Sequence, residues 1–236
     1  MKEILSNPLF WIFLTLVAFE IGNMIFKATK VPIFNPLLIA IIIIIGILVI
    51  FNIDYDVYNS GGKFINSFLG PATVVLAVPL YKNLDLLKKN IYPIFLGLFI
   101  GVIVSVSCVI ILSASLGLNK ELIATLVPKS VTTPIGVEVS KSLGGIGAIT
   151  IVSIVFTGIV GAIIAPIVMK VLKIKNPVAI GIAIGAAAHA VGTTKAFEIG
   201  ETEGAMSSLS IGIAGIITVL IAPPIFMIAM KILQIG

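Results

Sequence analysis

The sequence predicts an all-α protein that crosses a lipid membrane several times. Of its 236 residues, 59% are hydrophobic and only 11% are charged, and the mean hydropathy is +1.24. A soluble domain has roughly half apolar residues and about a quarter charged ones. A chain with so few charges cannot keep its surface in water. We therefore expect a multi-pass protein of the cytoplasmic membrane, with the lipid bilayer as its main solvent.

Six runs with almost no charge are candidates for full membrane spans. A helix that crosses a hydrocarbon layer of ~30 Å needs about 20 apolar residues. The predicted spans are 8–26, 31–53, 64–81, 90–119, 142–169 and 204–230. The third is the shortest and contains Gly and Pro.

Two further segments, 119–143 and 176–203, are partly apolar but are interrupted by Gly, Pro, Thr and charged residues. Backbone that leaves helical geometry at membrane depth must be sheltered by protein or must line a water-filled cavity. Broken helices of this kind hold the binding sites of many transporters. We therefore expect the working centre here, in two broken or re-entrant segments. If both segments cross the bilayer, the count becomes eight spans.

The two broken segments resemble copies of one another. Residues 129–138 and 189–198 align at an offset of 60, and the segments are followed by long spans that both end in Met-Lys. Identical pairs at this offset are Val131/Val191, Thr133/Thr193, Glu138/Glu198 and Gly144/Gly204. The sequence therefore predicts an N-terminal four-span region, 1–118, and a duplicated unit, 119–236, composed of 119–178 and 179–236.

The distribution of lysines predicts how the copies are oriented, because cytoplasmic loops carry the excess of positive charge. With the N-terminus outside, the lysines at 27, 30, 82, 88 and 89 are cytoplasmic. The lysines at 170, 173 and 175 reach the cytoplasm only if 119–143 returns to the side that it entered. Each copy then holds one hairpin and one span, and the copies are inverted. Parallel repeats with two crossing segments are the alternative.

The first break has the residues of a small anion site. Thr132-Thr133-Pro134 is typical of a helix start, with Thr133 as the cap and Pro134 as the first helical residue. The half-helix 134–143 would direct the positive end of its dipole to the membrane centre, where free N–H groups and hydroxyls bind oxyanions. Lys129 would add a full charge. Snorkelling of this lysine to the interface is the alternative.

The second break repeats this arrangement as Gly192-Thr193-Thr194-Lys195, with Lys195 at the turn and His189 one turn earlier. Two such tips that meet near the midplane would enclose a small carboxylate. Threonine pairs in membrane helices also occur for packing alone.

Four side chains are candidates for proton coupling, because ionisable groups inside a membrane are costly. They are His189, Glu138, Glu198 and Glu20. For the glutamates at 138 and 198, compensation of the helix dipole is the alternative, and Glu198 can also pair with Lys195 at i,i+3. For His189 the alternative is a packing role.

Several functional classes lack sequence support. No His/Cys/Asp/Glu cluster has metal-ligand spacing, and no nucleophile elbow is present, so we expect no metal, no cofactor and no enzymatic activity. The 15 basic residues are all lysine. They do not form a patch interleaved with aromatics, so we expect no nucleic-acid partner.

Three strings closely resemble signatures of the LrgB/CidB family, and the resemblance extends over essentially the whole chain. They are residues 68–81 (Phe-Leu-Gly-Pro-Ala-Thr-Val-Val-Leu-Ala-Val-Pro-Leu-Tyr), 128–135 (Pro-Lys-Ser-Val-Thr-Thr-Pro-Ile) and 189–196 (His-Ala-Val-Gly-Thr-Thr-Lys-Ala). The second string is the most specific. The resemblance implies that family positions are occupied by Lys129, Ser130, Thr132, Thr133, Pro134, His189, Gly192 and Thr193. It implies no fixed acid at Glu20.

The resemblance also implies two functions and a partner. The family is described as antiholin-like, acting with a small LrgA/CidA-type membrane protein in the control of murein hydrolases, lysis and programmed cell death. Plastid relatives and some bacterial pairs are described as transporters of glycolate, glycerate or pyruvate. Together with the residues above, this favours transport of a small monocarboxylate. The alternative is an antiholin-like regulator of a holin-like partner. Homo-oligomerisation stays open.

Overall fold

The computed structural model describes residues 5, 7–29, 31, 34–68, 71, 74–75 and 77–235. Within these ranges the regular secondary structure is helical and no strand occurs, which confirms the predicted all-α class. The chain forms two compact units, Met1–Val75 and Leu76–Gly236. The predicted boundary at 118/119 was drawn from the internal repeat in the sequence, whereas the boundary at 75/76 separates compact units. The boundary at 118/119 therefore stays a prediction.

The first unit contains three helices. They are α1 (Pro8–Thr29), α2 (Pro36–Ile50) and α3 (Tyr55–Ser67). Helix α1 packs against both of the others. Trp11 of α1 is fully buried and meets Tyr58 of α3 edge-on, with the ring centroids 5.9 Å apart. Helix α2 begins at a proline, and the side chain of Asn35 caps it by accepting from the backbone N–H groups of Leu37 and Leu38.

The second unit contains eight helices within the described residues. They are α4 (Ala77–Lys82), α5 (Leu84–Lys89), α6 (Ile91–Ser115), α7 (Lys120–Leu126), α8 (Thr133–Ser142), α9 (Gly147–Val171), α10 (Pro177–Ile199) and α11 (Glu201–Leu233). Helices α10 and α11 form the most extensive pair, and α6 packs against α11. The core between them is built from valine, isoleucine, alanine and methionine.

Most of the predicted spans coincide with helices. Five of the described helices, α1, α6, α9, α10 and α11, are long and apolar enough to cross a bilayer, and α2 is apolar but shorter. The predicted span 64–81 includes residues 69, 70, 72, 73 and 76, which lie outside the described part of the chain. Helix α3 ends before them and α4 begins after them.

The first broken segment is a re-entrant hairpin made of α7, a turn and α8. The start of α10 lies beside Glu203, and Glu201 pairs with Lys82, so α9 ends on the side where α6 begins and these two helices run in opposite directions. The chain between them therefore leaves and re-enters the bilayer on one side. The base of the hairpin is closed by a hydrogen bond of 2.8 Å from the backbone N–H of Ile146 to the Thr125 hydroxyl.

The second broken segment, α10, also turns back. His189 has φ +38° and ψ −130°, which splits the helix into an ingoing and a returning half. The ingoing half lies beside the start of α11, since a Cβ at Gly181 would touch the backbone of Glu203. After the returning half, Glu201 forms an ion pair of 3.4 Å with Lys82 at the end of α4. The segment thus begins and ends on the side where α6 begins.

The two hairpins therefore enter from opposite sides, as the inverted arrangement predicts, and the number of full spans stays a prediction. Helix α10 has the length and composition of a span, but it returns at His189. The side where α6 begins carries Lys82, Lys88, Lys89, Lys170, Lys173 and Lys175. By the excess of lysine this side is the cytoplasmic one.

Candidate functional site

The tips of the two hairpins meet inside the second unit. The first tip is the turn 127–132 between α7 and α8, and the second tip is His189. The backbone and the ammonium of Lys129 both act electrostatically on the His189 imidazole. Lys129 and His189 are equivalent residues at the offset of 60. The two tips thus bring one cation and one imidazole near each other inside the second unit.

A cavity of about 1,040 Å³ leads from the cytoplasmic side to the first tip. Helices α6 and α9 form its walls and α10 forms its base, while Val127–Val131 of the first tip close its inner end. Along α6 the lining extends from Asn90 to Val106, which at 1.5 Å per residue corresponds to about 24 Å. This length is well over half of a hydrocarbon layer of ~30 Å.

Lys129 is the cation of this cavity and lies at its inner end. Its ammonium donates to the Ser130 hydroxyl at 3.2 Å, and the Ser105 hydroxyl of α6 lies 3.4 Å from that of Ser130. No carboxylate of the described residues pairs with Lys129. By contrast, ion pairs join Lys82 to Glu201, Lys141 to Glu138 and Lys195 to Glu198. Lys129 is therefore a partly buried ammonium whose neighbours are hydroxyls.

The start of α8 differs in detail from the prediction. The helix begins at Thr133, Thr132 occupies the N-cap position, and Pro134 is the second helical residue. Thr133 is therefore not the cap, and the Thr132 hydroxyl makes no capping bond. The helix start predicted from Thr-Pro is offset by one residue because the backbone of Thr132 already has the extended cap conformation. None of the three residues lines the cavity, whereas Lys129 and Ser130 do.

The second turn lies at His189 and not at Lys195, which corrects the prediction. Lys195 is inside the returning half of α10 and pairs with Glu198. The threonines stay helical because their hydroxyls bond to carbonyls one turn earlier, from Thr193 to His189 and from Thr194 to Ala190. The Thr-Thr-Lys string is therefore part of a helix.

Thr193 packs the second hairpin against α11, and Gly192 packs its returning half against its ingoing half. Thr193 is buried, and its hydroxyl lies 2.7 Å from that of Ser207 in α11. A Cβ at Gly192 would lie 2.5 Å from the Cβ of Ala188, so only glycine fits there. The returning half thus lies close to α11, away from the cavity lining.

His189 is buried, with 4% of its surface exposed, and its Nε2 has no hydrogen-bond partner among the described residues. Helix α9 packs against it, since a Cβ at Gly158 would lie 3.1 Å from His189 Cε1. A histidine with positive φ is strained. The surrounding packing therefore holds an imidazole with an unused nitrogen beside Lys129.

The three glutamates considered for coupling are exposed. Glu138 pairs with Lys141 at 3.1 Å, and Glu198 pairs with Lys195. Glu20 belongs to the first unit, where Asn23 donates to it at 3.3 Å. No group of three or more metal-ligating side chains occurs within the described residues.

The sequence reasoning missed Ser105, Thr157 and the glycines of the cavity wall. Gly97 and Gly101 of α6 have open space where a Cβ would be, and both line the cavity. Their four-residue spacing puts them on one face, with Ser105 one turn further. This spacing of small residues could have indicated a cavity-lining face in the segment 90–119, which the sequence analysis interprets only as a membrane span.

Comparison with known proteins identifies the family. The LrgB-like family matches residues 15–228. Antiholin-like protein LrgB of Bacillus cereus (strain B4264) is 37% identical over 218 residues, which cover 92% of this chain and 95% of that protein. Antiholin-like protein LrgB of Bacillus anthracis (strain CDC 684 / NRRL 3495) has the same identity and coverage. No solved structure matches the chain. The resemblance carried by the three strings is thereby confirmed, and the chain belongs to the LrgB-like family.

Proposed function

We propose that the protein transports a small monocarboxylate, such as pyruvate or glycolate, across the cytoplasmic membrane. The observation that carries this proposal is the ammonium of Lys129, which lies at the inner end of a deep cavity without a carboxylate partner among the described residues. A charge at this depth is costly unless something compensates it. A bound carboxylate supplies the compensating charge.

The groups around Lys129 suit one carboxylate. Its ammonium is one donor, and the hydroxyls of Ser130 and Ser105 lie within 3.4 Å of each other beside it. The half-helix α8 begins a few residues later at Thr133, so the positive end of its dipole is at the same tip. Thr132, Pro134 and Thr193 hold the backbone of the tips in this proposal and do not contact the substrate.

His189 is the proposed coupling group. It is next to Lys129, it is buried, and its Nε2 has no partner among the described residues. A neutral imidazole has one ring nitrogen that donates a hydrogen bond and one that can accept a proton. A proton on His189 would favour an anion at Lys129, which couples the two movements. Glu138, Glu198 and Lys195 have ion-pair partners of their own and are assigned no part in coupling.

Reconstitution tests the transport proposal. The purified chain, alone and together with an LrgA/CidA-type partner subunit, is placed in liposomes, and uptake of labelled pyruvate and glycolate is measured under a proton gradient. We expect uptake that Lys129→Met abolishes and Lys170→Met, a change on the cytoplasmic surface, leaves unchanged. Uptake that survives Lys129→Met would overturn the site.

An antiholin-like regulator is the second candidate function, and one observation favours it directly. The relatives with 37% identity over 92% of the chain carry the name antiholin-like protein, and that name says nothing about transport. In this case the chain would modulate a pore formed by an LrgA/CidA-type partner and, through it, murein hydrolase activity. Dye release from liposomes with the partner, with and without this chain, measures it. Altered dye release without carboxylate uptake would favour regulation.

A further inference from the structure

Three polar side chains at the inner end of the cavity are joined through one oxygen atom. The Lys129 ammonium donates to the Ser130 hydroxyl at 3.2 Å, and the Ser105 hydroxyl donates to the same oxygen at 3.4 Å. Ser105 differs here from other hydroxyls inside the helices, such as those of Thr193 and Ser115, which donate to a carbonyl of the preceding turn. Its hydroxyl is therefore directed out of α6 and toward the first tip.

Lys129 and Ser130 present only hydrogen-bond donors to a ligand. A serine hydroxyl has one O–H donor and two acceptor sites on its oxygen, whereas a lysine ammonium has donors alone. The Ser130 oxygen uses both acceptor sites, for Lys129 and for Ser105, and its own proton has no acceptor among the described residues. This pair therefore matches a carboxylate, which has only acceptors.

Ser105 has the opposite character. Its proton is donated to Ser130, and its oxygen accepts no hydrogen bond from any of the residues that the structure describes. Of these three side chains it is therefore the one that can accept a hydrogen bond from a ligand. The site thus combines a pair of donors with one acceptor, and the two hydroxyl oxygens are 3.4 Å apart.

We propose that Ser105 is a specificity-determining residue, which accepts a hydrogen bond from a hydroxyl group on the carbon next to the substrate carboxylate. This inference rests on the proposed function for the anion site, and it adds the residue that selects among small acids. In a 2-hydroxy acid the hydroxyl oxygen and the nearer carboxylate oxygen lie about one hydrogen-bond length apart, which is close to the spacing of Ser105 and Ser130. One acid can therefore bind both serine hydroxyls at once.

A 2-oxo acid fits the same site less well. Its carbonyl oxygen only accepts, so it faces the lone pairs of Ser105 unless Ser105 turns and loses its bond to Ser130. A site that is built to bind a hydroxyl leaves its own polar group unpaired when the ligand lacks that proton. Glycolate should therefore bind more tightly than pyruvate, and the binding of both should depend on Lys129.

Fluoroacetate isolates the effect of the hydroxyl proton, because its fluorine is similar in size to a hydroxyl group but cannot donate. Ligand-observed NMR titrations of glycolate, fluoroacetate and pyruvate are performed on the full chain in lipid nanodiscs, with Lys129→Met nanodiscs as the blank. We expect glycolate to bind about threefold to tenfold more tightly than either of the other acids, which is the effect of one neutral hydrogen bond. This comparison uses the wild-type protein, so it does not depend on how a variant folds.

Three serine variants test whether Ser105 is the acceptor. Ser105→Ala removes the acceptor, and Ser105→Thr retains a hydroxyl. Ser115→Ala removes a hydroxyl of the same helix that bonds to the Leu112 carbonyl and does not line the cavity. We expect Ser105→Ala to abolish the preference for glycolate over fluoroacetate, and the other two variants to keep it. A merely structural contact between α6 and the tip would change both affinities together and leave their ratio unchanged.

The outcomes separate this inference from the proposed function. Lys129-dependent binding with equal affinities for glycolate and fluoroacetate would overturn the role of Ser105 and leave the carboxylate site in place. A preference for glycolate that survives Ser105→Ala, or that Ser115→Ala abolishes equally, would also overturn it. Absence of Lys129-dependent binding of all three acids would overturn the anion site itself, and with it both proposals.

Discussion

Lys129 and His189 occupy matching positions of the two hairpin strings in the sequence, and Lys129 is close enough to His189 to act on its imidazole electrostatically. The first hairpin enters from the side opposite to the cytoplasm and the second from the cytoplasm. Their meeting puts a cation and an imidazole at the inner end of a passage that is otherwise apolar. The functional proposals depend on this pair more than on any other contact.

The two hairpin lysines are predicted to differ in importance. Lys129 has hydroxyl neighbours and lines the cavity, whereas Lys195 pairs with Glu198 inside a helix. We expect Lys129→Met to reduce carboxylate uptake at least a hundredfold and Lys195→Met to change it less than threefold. Initial rates in liposomes measure both. If Lys195→Met proved as damaging as Lys129→Met, the second lysine would belong to the site.

Replacement of His189 is predicted to separate stability from function. Its positive φ of 38° costs about 1–3 kcal/mol in a residue other than glycine. His189→Gly relieves this strain, whereas His189→Ala retains it. We expect the glycine variant to be more stable than the alanine variant by about 1 kcal/mol, and both to lose proton-driven uptake. Thermal unfolding in detergent compares them. A more stable alanine variant would contradict the backbone conformation at this position.

The inverted topology predicts a specific labelling pattern. After Cys108, the single cysteine, is replaced by serine, new cysteines are introduced at Lys141, Lys175 and Glu201. Lys141, at the base of the first hairpin, should react with an impermeant maleimide from outside intact cells. Cysteines at 175 and 201 should react only after the cells are opened. External labelling at position 175 would mean that the first segment crosses the bilayer.

Because α9 packs closely against the second tip, adding a single methyl group at Gly161 is predicted to lower the stability of the protein. A Cβ at Gly161 would lie 2.5 Å from the Cβ of Ala188, whereas Gly212 has open space. We expect Gly161→Ala to destabilise the protein by about 1–3 kcal/mol, as overpacking does. Gly212→Ala should be neutral or stabilising. Melting temperatures in detergent measure both, and equal values would show that α9 can move away.

The helices and the inverted arrangement were predictable from the sequence because they follow from strong physical constraints. A bilayer requires long apolar helices, so a long uncharged run predicts a span. The predicted span 142–169, for example, corresponds to α9 (Gly147–Val171). The positions of the lysines at 170, 173 and 175 were enough to predict that the first broken segment is re-entrant.

The exact turn and the cavity wall were not predictable in the same way. Thr193, Thr194 and Lys195 have the composition of a break, yet they are helical because the hydroxyls bond to carbonyls of the same helix. The turn is at His189, where only the tertiary contacts hold a strained residue. Likewise, Gly97 and Gly101 line a cavity that exists because α6 and α9 stand apart, which no local pattern specifies.

The opposed insertion of the hairpins has a consequence for how a solute gets through. Two copies of one motif, placed upside down relative to each other, can exchange their conformations, and the exchange reverses which face of the membrane is open. In the arrangement described here the passage leads to the cytoplasm. We expect a companion state in which the pathway to Lys129 begins at the opposite surface, so that one binding position serves both compartments alternately.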